Sequence, residues 1–538
     1  MKKILSALLA VGMVFGAWTA DLSPDSRSYA QVYASEEYTS GYYGYIVYHN
    51  YGDHIEIAGA ENFPTSVEIP PEIDGLPVTR IGDWAFGSDS LTSVTIPDGV
   101  TSIGEGAFSS CADLTSLTIP DSVTSIGDYA FYFCTDLISV DLSNSLTSIS
   151  DYAFEGCTSL ESVTIPDSVE SIGNYAYQGC KSMTSVSIPD SVVSIGDFAF
   201  CGCTSLTSVS LPKSVASIGD YAFCYCTSMT EILVDENNQY FTSDNGVLFD
   251  KNKTALLAYP TDKNKMSYTI PDTVTSIGTA AFEGCSSLTS VTIPDSVTSI
   301  GAAAFERCKM MTSVKISDSV ESIGCNAFYE CKSLKSVTIP DKVTRIYDST
   351  FEKCAALNSV AIGSGVTSID NNAFAECSNL RSITVPERVT GIGGNAFYNC
   401  ERLTSITIEN PECEIYDDGS TICNDYDDKY YFNGTICGYD NSTAQTYAEK
   451  YGYKFLSLGT APEPPVTVWG DADENGTADM DDVVAILCAA SGIASLSKQG
   501  ALNADIYQNG DGISSNDAVS LQKYLALAIG ELPESYLG

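Results

Sequence analysis

Asp471, Asp473, Asn475, Asp479 and Asp482 put oxygen-bearing side chains at positions 1, 3, 5, 9 and 12 of one short segment, with Gly476 at position 6. That is the ligand spacing of a calcium loop. The Thr477 carbonyl falls at position 7, Asp479 acts directly or through water, and aspartate replaces the usual glutamate at the close. Hard oxygen donors in this number favour Ca2+ over Mg2+. The pattern returns 34 residues on, where Asp505, Asn509 or Asp511, and Asp517 would hold a second Ca2+. One extra residue separates the first and last aspartates of that second loop. The plainer alternative for each loop is a solvated acidic turn that binds nothing.

Other reactive groups are sparse. The two histidines, His49 and His54, stand in no nucleophile–base motif. No His-x-x-x-His or Cys-x-x-Cys pair proposes zinc, and no phosphate- or dinucleotide-binding loop appears. Paired carboxylates such as Asp417-Asp418 and Asp425-Tyr426-Asp427-Asp428 carry little information among 69 acidic residues, and read as solvated loop. A non-catalytic protein is expected. The alternative is an enzyme or enzyme inhibitor with its site in 406–459 or in the insertion described below.

The formal charge of −43 repels nucleic acid and anionic membrane surfaces, so neither is an expected partner. At 538 residues, two or three units are expected. Met1-Lys2-Lys3 followed by the apolar run Ile4 to Trp18 reads as a secretory signal within 1–34, with cleavage after Ala20, Ala30 or Ala34. The run is too short for a comfortable span, and the mature protein is expected outside the cell with no membrane span.

The large middle repeats. Phe108, Phe131, Phe154, Tyr177, Phe200 and Phe223 are 23 residues apart, as are Phe282, Phe305, Phe328, Phe351, Phe374 and Phe397, and Phe86 starts the array with a step of 22. Cys111, Cys134, Cys157, Cys180, Cys203 and Cys226 keep the same step, as do Cys285, Cys308, Cys331, Cys354, Cys377 and Cys400. A cysteine at one fixed repeat position reads as a small buried hydrophobe. The off-register Cys413, Cys423 and Cys437 are disulfide candidates.

In the copy Leu114 to Cys134, Leu117 and Ile119 alternate with hydroxyl residues as a half-buried strand, which Pro120 ends. Val123 and Ile126 return across the core, Gly127 permits a turn, and Ala130-Phe131-x-x-Cys134 refills the interior with a helical or irregular segment. Such coils bury their apolar sides only by stacking. The Thr/Ser face (Thr115, Thr118) reads as a soluble sheet face, with a ligand-binding role as the minority reading.

The period breaks between Phe223 and Phe282, where an insertion at about 234–266 carries the hairpin signal Asn245-Gly246. Residues 41–80 read as an N-terminal cap, with a hairpin at Tyr45–Tyr48 and Ile55–Ile57. Residues 81–405 read as the solenoid, and 406–459 as a C-terminal cap closed by a helix from Thr443 to Gly452. A Pro-rich linker spans 460–468 and a small module 469–538. Tyr38, Tyr42, Tyr43, Tyr45, Tyr48 and Tyr51, and at the far cap Tyr426, Tyr430 and Tyr431, read as cap packing or as ligand-stacking surfaces.

The repeat unit L-x-x-L-x-I-P-x-x-V-x-x-I-G-x-x-A-F-x-x-C resembles the BspA-like leucine-rich repeat surface proteins over residues 80 to 405. That resemblance implies a β-strand-rich, leucine-rich repeat solenoid with a parallel sheet along one face. The tandem loop–helix units resemble a dockerin, implying a small all-α, EF-hand-like domain. They also imply a cohesin of a scaffoldin as partner, as in cellulosomes at the bacterial surface. In that family loop positions 10 and 11 and the following helix set partner choice; here they are Met480 and Asp481, Ser515 and Asn516, with Lys523 and Tyr524 nearby. The solenoid is then expected to present a protein- or glycan-binding surface.

Overall fold

The computed structural model describes residues 38–461 except 62–63, 88–89, 264 and 425–430, and beyond them 472, 480–491, 495, 496, 504, 518, 519 and 521. The chain divides into two compact units, 1–435 and 436–538.

The first unit is a solenoid with two parallel ladders, where the repeat pattern implied one. Ser116–Thr118 pairs in parallel with Ser139–Asp141, and Ser162–Thr164 with Ser185–Ser187, residue 23 on residue. The two-residue strands Ser102–Ile103 and Ser125–Ile126 form a separate parallel pair. Leu114, Leu117, Ile119, Val123, Ile126, Ala130, Phe131 and Cys134 are all buried. The rings run down the core as a continuous stack from Phe86 to Phe223, for example 5.4 Å from Phe108 to Phe131 and 5.2 Å on to Phe154.

The Ala-Phe-x-x-Cys segment is irregular, not helical. Tyr129 takes φ 59°, and the same left-handed backbone recurs at Tyr152, Tyr175, Phe198 and Tyr221. The amide of Phe131 therefore donates to the Ala153 carbonyl of the next coil, 2.9 Å away, and not back along its own chain. The turn glycine also has a different role from the expected one. A Cβ on Gly127 would lie 2.5 Å from the Glu105 amide nitrogen, and one on Gly196 would lie 2.6 Å from that of Asn174. Glycine at these two positions admits the close approach of successive coils.

The acidic turn residues are part of the scaffold. Asp83 accepts the Glu105 amide, Asp151 that of Asn174, Asn174 that of Asp197, and Asp197 that of Asp220. Each side chain satisfies an amide of the coil above. Threonines do the converse: Thr101 and Thr124 donate their hydroxyls to the carbonyls of Thr79 and Thr101.

The repeat cysteines do more than fill space. Each thiol donates to the carbonyl of the ring residue one coil back, Cys134 to Phe108 and Cys157 to Phe131, both at 3.2 Å. Burial pushes the Cys157 and Cys226 thiols up to about 12. Iodoacetamide at pH 8 should therefore modify the partly exposed Cys325 and Cys488 in the native protein. Cys157 and Cys226 should react only after denaturation, as peptide mapping by mass spectrometry will show. The disulfide comes from two cysteines the repeat pattern passes over: Cys201 and Cys224, one step apart on neighbouring coils with Cα atoms 4.7 Å apart.

At the start, Thr39–Tyr43, Ile46–Asn50 and Ile55–Ala60 form an antiparallel sheet. Its last strand runs parallel to Leu76–Ile81, which in turn pairs with Ser102–Ile103. Tyr48 is buried and donates to Asp74, whereas Tyr38, Tyr42 and Tyr43 are exposed. In the second unit the helix Thr443–Tyr451 is capped by Ser442, which accepts the Gln445 amide. Gly452, at φ 73°, ends it.

Candidate functional site

Two places in the chain depart from the repeat and carry chemistry: the C-terminal module and the break in the solenoid.

In the module, Asp482 is fully buried in the first turn of the helix Met480–Ala490. Its Oδ1 accepts the Ala472 amide at 2.8 Å. The residue at loop position 12 is thereby tied to the residue at position 2, bringing the two ends of the loop together. A calcium loop needs that closure, so Asp482 fits the role of closing ligand. The other expected ligands, Asp471, Asp473, Asn475, Thr477, Asp479, Asp505, Asn509, Asp511 and Asp517, lie outside the described residues. So do the expected partner-choice residues Ser515, Asn516, Lys523 and Tyr524; Met480 and Asp481 open the helix.

Ala472, Val483, Ile486, Ala504, Ala518 and Leu521 form one small core. Both halves contribute: Val483, next after Asp482 in the chain, and Ala518, next after Asp517, are both buried in it. Val484 and Val519, the next residues, are 55% and 42% exposed, and Leu487 is 41% exposed. The sequence pattern did not separate these outward apolar residues from the inward ones.

The break in the solenoid has a specific geometry. The coil after Phe223 places Tyr259 in the ring stack, 5.1 Å from Phe282, so the insertion conceals one further coil. Ala255 and Leu256 pair with Ser276 and Ile277. From there the chain takes three steps to its ring (256 to 259), where the following coil takes five (277 to 282). The missing two residues are those of the turn. Phe223 consequently has no ring contact on its far side among the described residues, and a cavity of about 270 Å³ opens beside it. The hairpin Phe241–Asp244 and Val247–Asp250 turns at Asn245-Gly246 and contributes Leu248 to the wall.

The short turn also leaves hydrogen-bonding groups without partners. In the preceding coil the amides of Phe198, Phe200 and Gly202 donate to Asp220, Ala222 and Cys224. Among the described residues the equivalent amides of Tyr221, Phe223 and Tyr225 reach no carbonyl of a following coil. The Tyr259 hydroxyl and Glu283 Oε2 are buried with no hydrogen-bond partner among the described residues.

Tyr225 spans the gap over Gly284. Its hydroxyl donates to Glu306 Oε1 at 2.9 Å, and Arg307 lies 5.0 Å over its ring and donates to its oxygen. Burial pushes Glu283, only 3% exposed, up to about 7, against the pull of Tyr225 and Arg307. A carboxyl raised in the folded state is neutral for stability below its unfolded value of 4.5 and becomes a penalty as pH climbs through 7. Glu283→Gln should leave stability unchanged near pH 4 and raise it by about 2–3 kcal/mol at pH 8. Denaturant melts at the two pH values check this.

His49 pairs with Glu56 at 3.2 Å and stacks on Tyr38; His54 pairs with Asp53 at 2.6 Å. Asp418 accepts the Ser420 amide within a tight turn, which holds its carboxyl low. Asp425, Asp427 and Asp428 lie outside the described residues.

The model of the BspA-type leucine-rich repeat region matches residues 65–184, 147–245, 258–313 and 300–423, well over half of the chain. The chain belongs to the BspA-type leucine-rich repeat family. A leucine-rich cell surface protein from Faecalibacterium prausnitzii is 32% identical, with a TM-score of 0.59 over 73% of this BspA-type chain and all of the other. The pneumococcal vaccine antigen PcpA, at 21% identity and a TM-score of 0.51, shares the fold over 78% of this chain and 98% of its own. A "Xylanase/beta-glucanase" of Ruminococcus flavefaciens is 40% identical over 82 residues, 13% of this chain. The chain spans about a tenth of that relative's length. Among the described residues no helix is long and apolar enough to cross a membrane.

Proposed function

We propose that this BspA-type protein is a secreted, non-catalytic binding protein of the cell surface. Its solenoid presents a surface to a protein or glycan, and its C-terminal module holds two Ca2+ and docks onto a cohesin of a cellulosome scaffoldin. The observation that carries the docking half is the module's doubled construction. A buried Asp482 closes the first loop, and the two halves share one core while each turns one valine outward. Outward apolar residues flanked by acidic loops suit a partner that buries them within a polar rim. The short likeness to a protein named for plant-polysaccharide hydrolysis fits delivery to a complex of such enzymes. The surface location rests on the named cell-surface relative and on the signal-like N-terminus.

The two halves are not identical in sequence, so one face should dominate. Val484→Asp and Val519→Asp, each tested in the full chain against cohesins, should weaken binding unequally. The dominant one should cost about a hundredfold, as expected of a buried apolar anchor turned charged. Full affinity in both variants would overturn the assignment of this face.

A further inference from the structure

Outside the ring core, a second aromatic ladder runs along the turns of the first half. Tyr129, Tyr152, Tyr175, Phe198 and Tyr221 stack face to face at 4.5 to 4.7 Å. Tyr221 is its last ring. Among the described residues nothing aromatic stacks on the far face of Tyr221, because the shortened coil at 256–259 lacks the turn that would supply the next ring. Ala280 holds the ladder position one coil later. Tyr221, Ile218, Met229, Ile232, Leu257 and Glu283 all line the cavity at the break.

Two features give this cavity a chemical preference. Apolar side chains such as Ile218, Met229, Ile232, Leu248 and Leu257 line it, and the Tyr221 ring in its lining continues a regular stack, so a flat apolar ring is suited to it. In its lining Glu283 is 3% exposed and its Oε2 has no hydrogen-bond partner among the described residues, while Asp220 also lines the cavity. Glu283 and Tyr221 line the same cavity, so the acid and the ladder's end face one space. A buried carboxyl with an unused oxygen is satisfied by a charged donor. The strongly acidic chain concentrates cations around it.

We propose that this cavity binds a small aromatic amine, whose ring continues the ladder on Tyr221 and whose ammonium pairs with Glu283. The site is separate from the docking module and from the repeating face of the solenoid. The Tyr259 hydroxyl, buried in the same lining with no hydrogen-bond partner among the described residues, supplies a second acceptor for the amine.

The test is calorimetric titration of the full chain with phenethylamine, 2-phenylethanol and phenylacetate, which share a ring and differ in the head group. Phenethylamine should bind at least about tenfold tighter than 2-phenylethanol. Glu283→Gln should remove that advantage and leave the alcohol within about twofold. Leu257→Trp, which fills the cavity, should abolish both, with circular dichroism confirming that the solenoid is intact. If Leu257→Trp misfolds, the Glu283→Gln comparison decides alone. Tighter binding of phenylacetate would mean that the spare amides of Tyr221 and Phe223 select an anion, and would overturn the proposal. Equal binding of amine and alcohol, or no heat from any of the three, would overturn it as well.

Discussion

Phe154→Ala should destabilise the solenoid by about 4 kcal/mol, the range for truncating a fully buried aromatic side chain. The ring is 0% exposed and stacks on Phe131 at 5.2 Å and Tyr177 at 5.4 Å. Its loss therefore opens a void and cuts the stack at that coil. A repeat protein transmits stability between neighbours, so the denaturant transition should broaden as well as shift. Phe154→Leu, which refills most of the volume, should recover more than half of the loss. The next ring supplies a control of opposite sign. Tyr177 is equally buried, and its hydroxyl has no hydrogen-bond partner among the described residues. Tyr177→Phe should therefore stabilise the protein by about 1 kcal/mol or more. Guanidinium melts of the three variants read both effects.

Asp482→Ala should weaken calcium binding by the first loop at least about a hundredfold, since a buried carboxylate that closes such a loop is lost together with its charge. The same change removes the acceptor of the Ala472 amide, so it should loosen the small core of Val483, Ile486, Ala504, Ala518 and Leu521 when calcium is limiting. Asp471→Ala, at the loop's first position, should act the same way. Chelator-competition titration gives the affinity, and circular dichroism follows the helix Met480–Ala490. High calcium should restore the helix in both variants. Unchanged affinity would show that the loop is a solvated turn.

The repeat was legible because one period of 23 puts leucine, isoleucine, phenylalanine and cysteine at fixed places, and those places are buried coil after coil. The exceptions share a cause: spacing along the chain does not report distance between coils. The spacing marks Gly127 as a turn residue, whereas its role is to admit the Glu105 backbone. Cys201 and Cys224 sit two residues before the repeat cysteines, and only the stacking of coils brings them together. The coil of Tyr259 was hidden because its turn is two residues short and a tyrosine replaces the phenylalanine. That same shortening makes the cavity, so the most distinctive pocket arose where the pattern failed. In the C-terminal module the loop spacing was plain. The inward or outward sense of adjacent valines was not, because Val483 and Val484 are both apolar and only packing separates them.

Isothermal titration of the full chain against a panel of cohesins, in calcium and again with EDTA, tests the central claim most directly. One-to-one binding to at least one member is expected, at about nanomolar to micromolar affinity in calcium, with its loss in EDTA. Binding that survives EDTA, or no binding to any member in calcium, would contradict it.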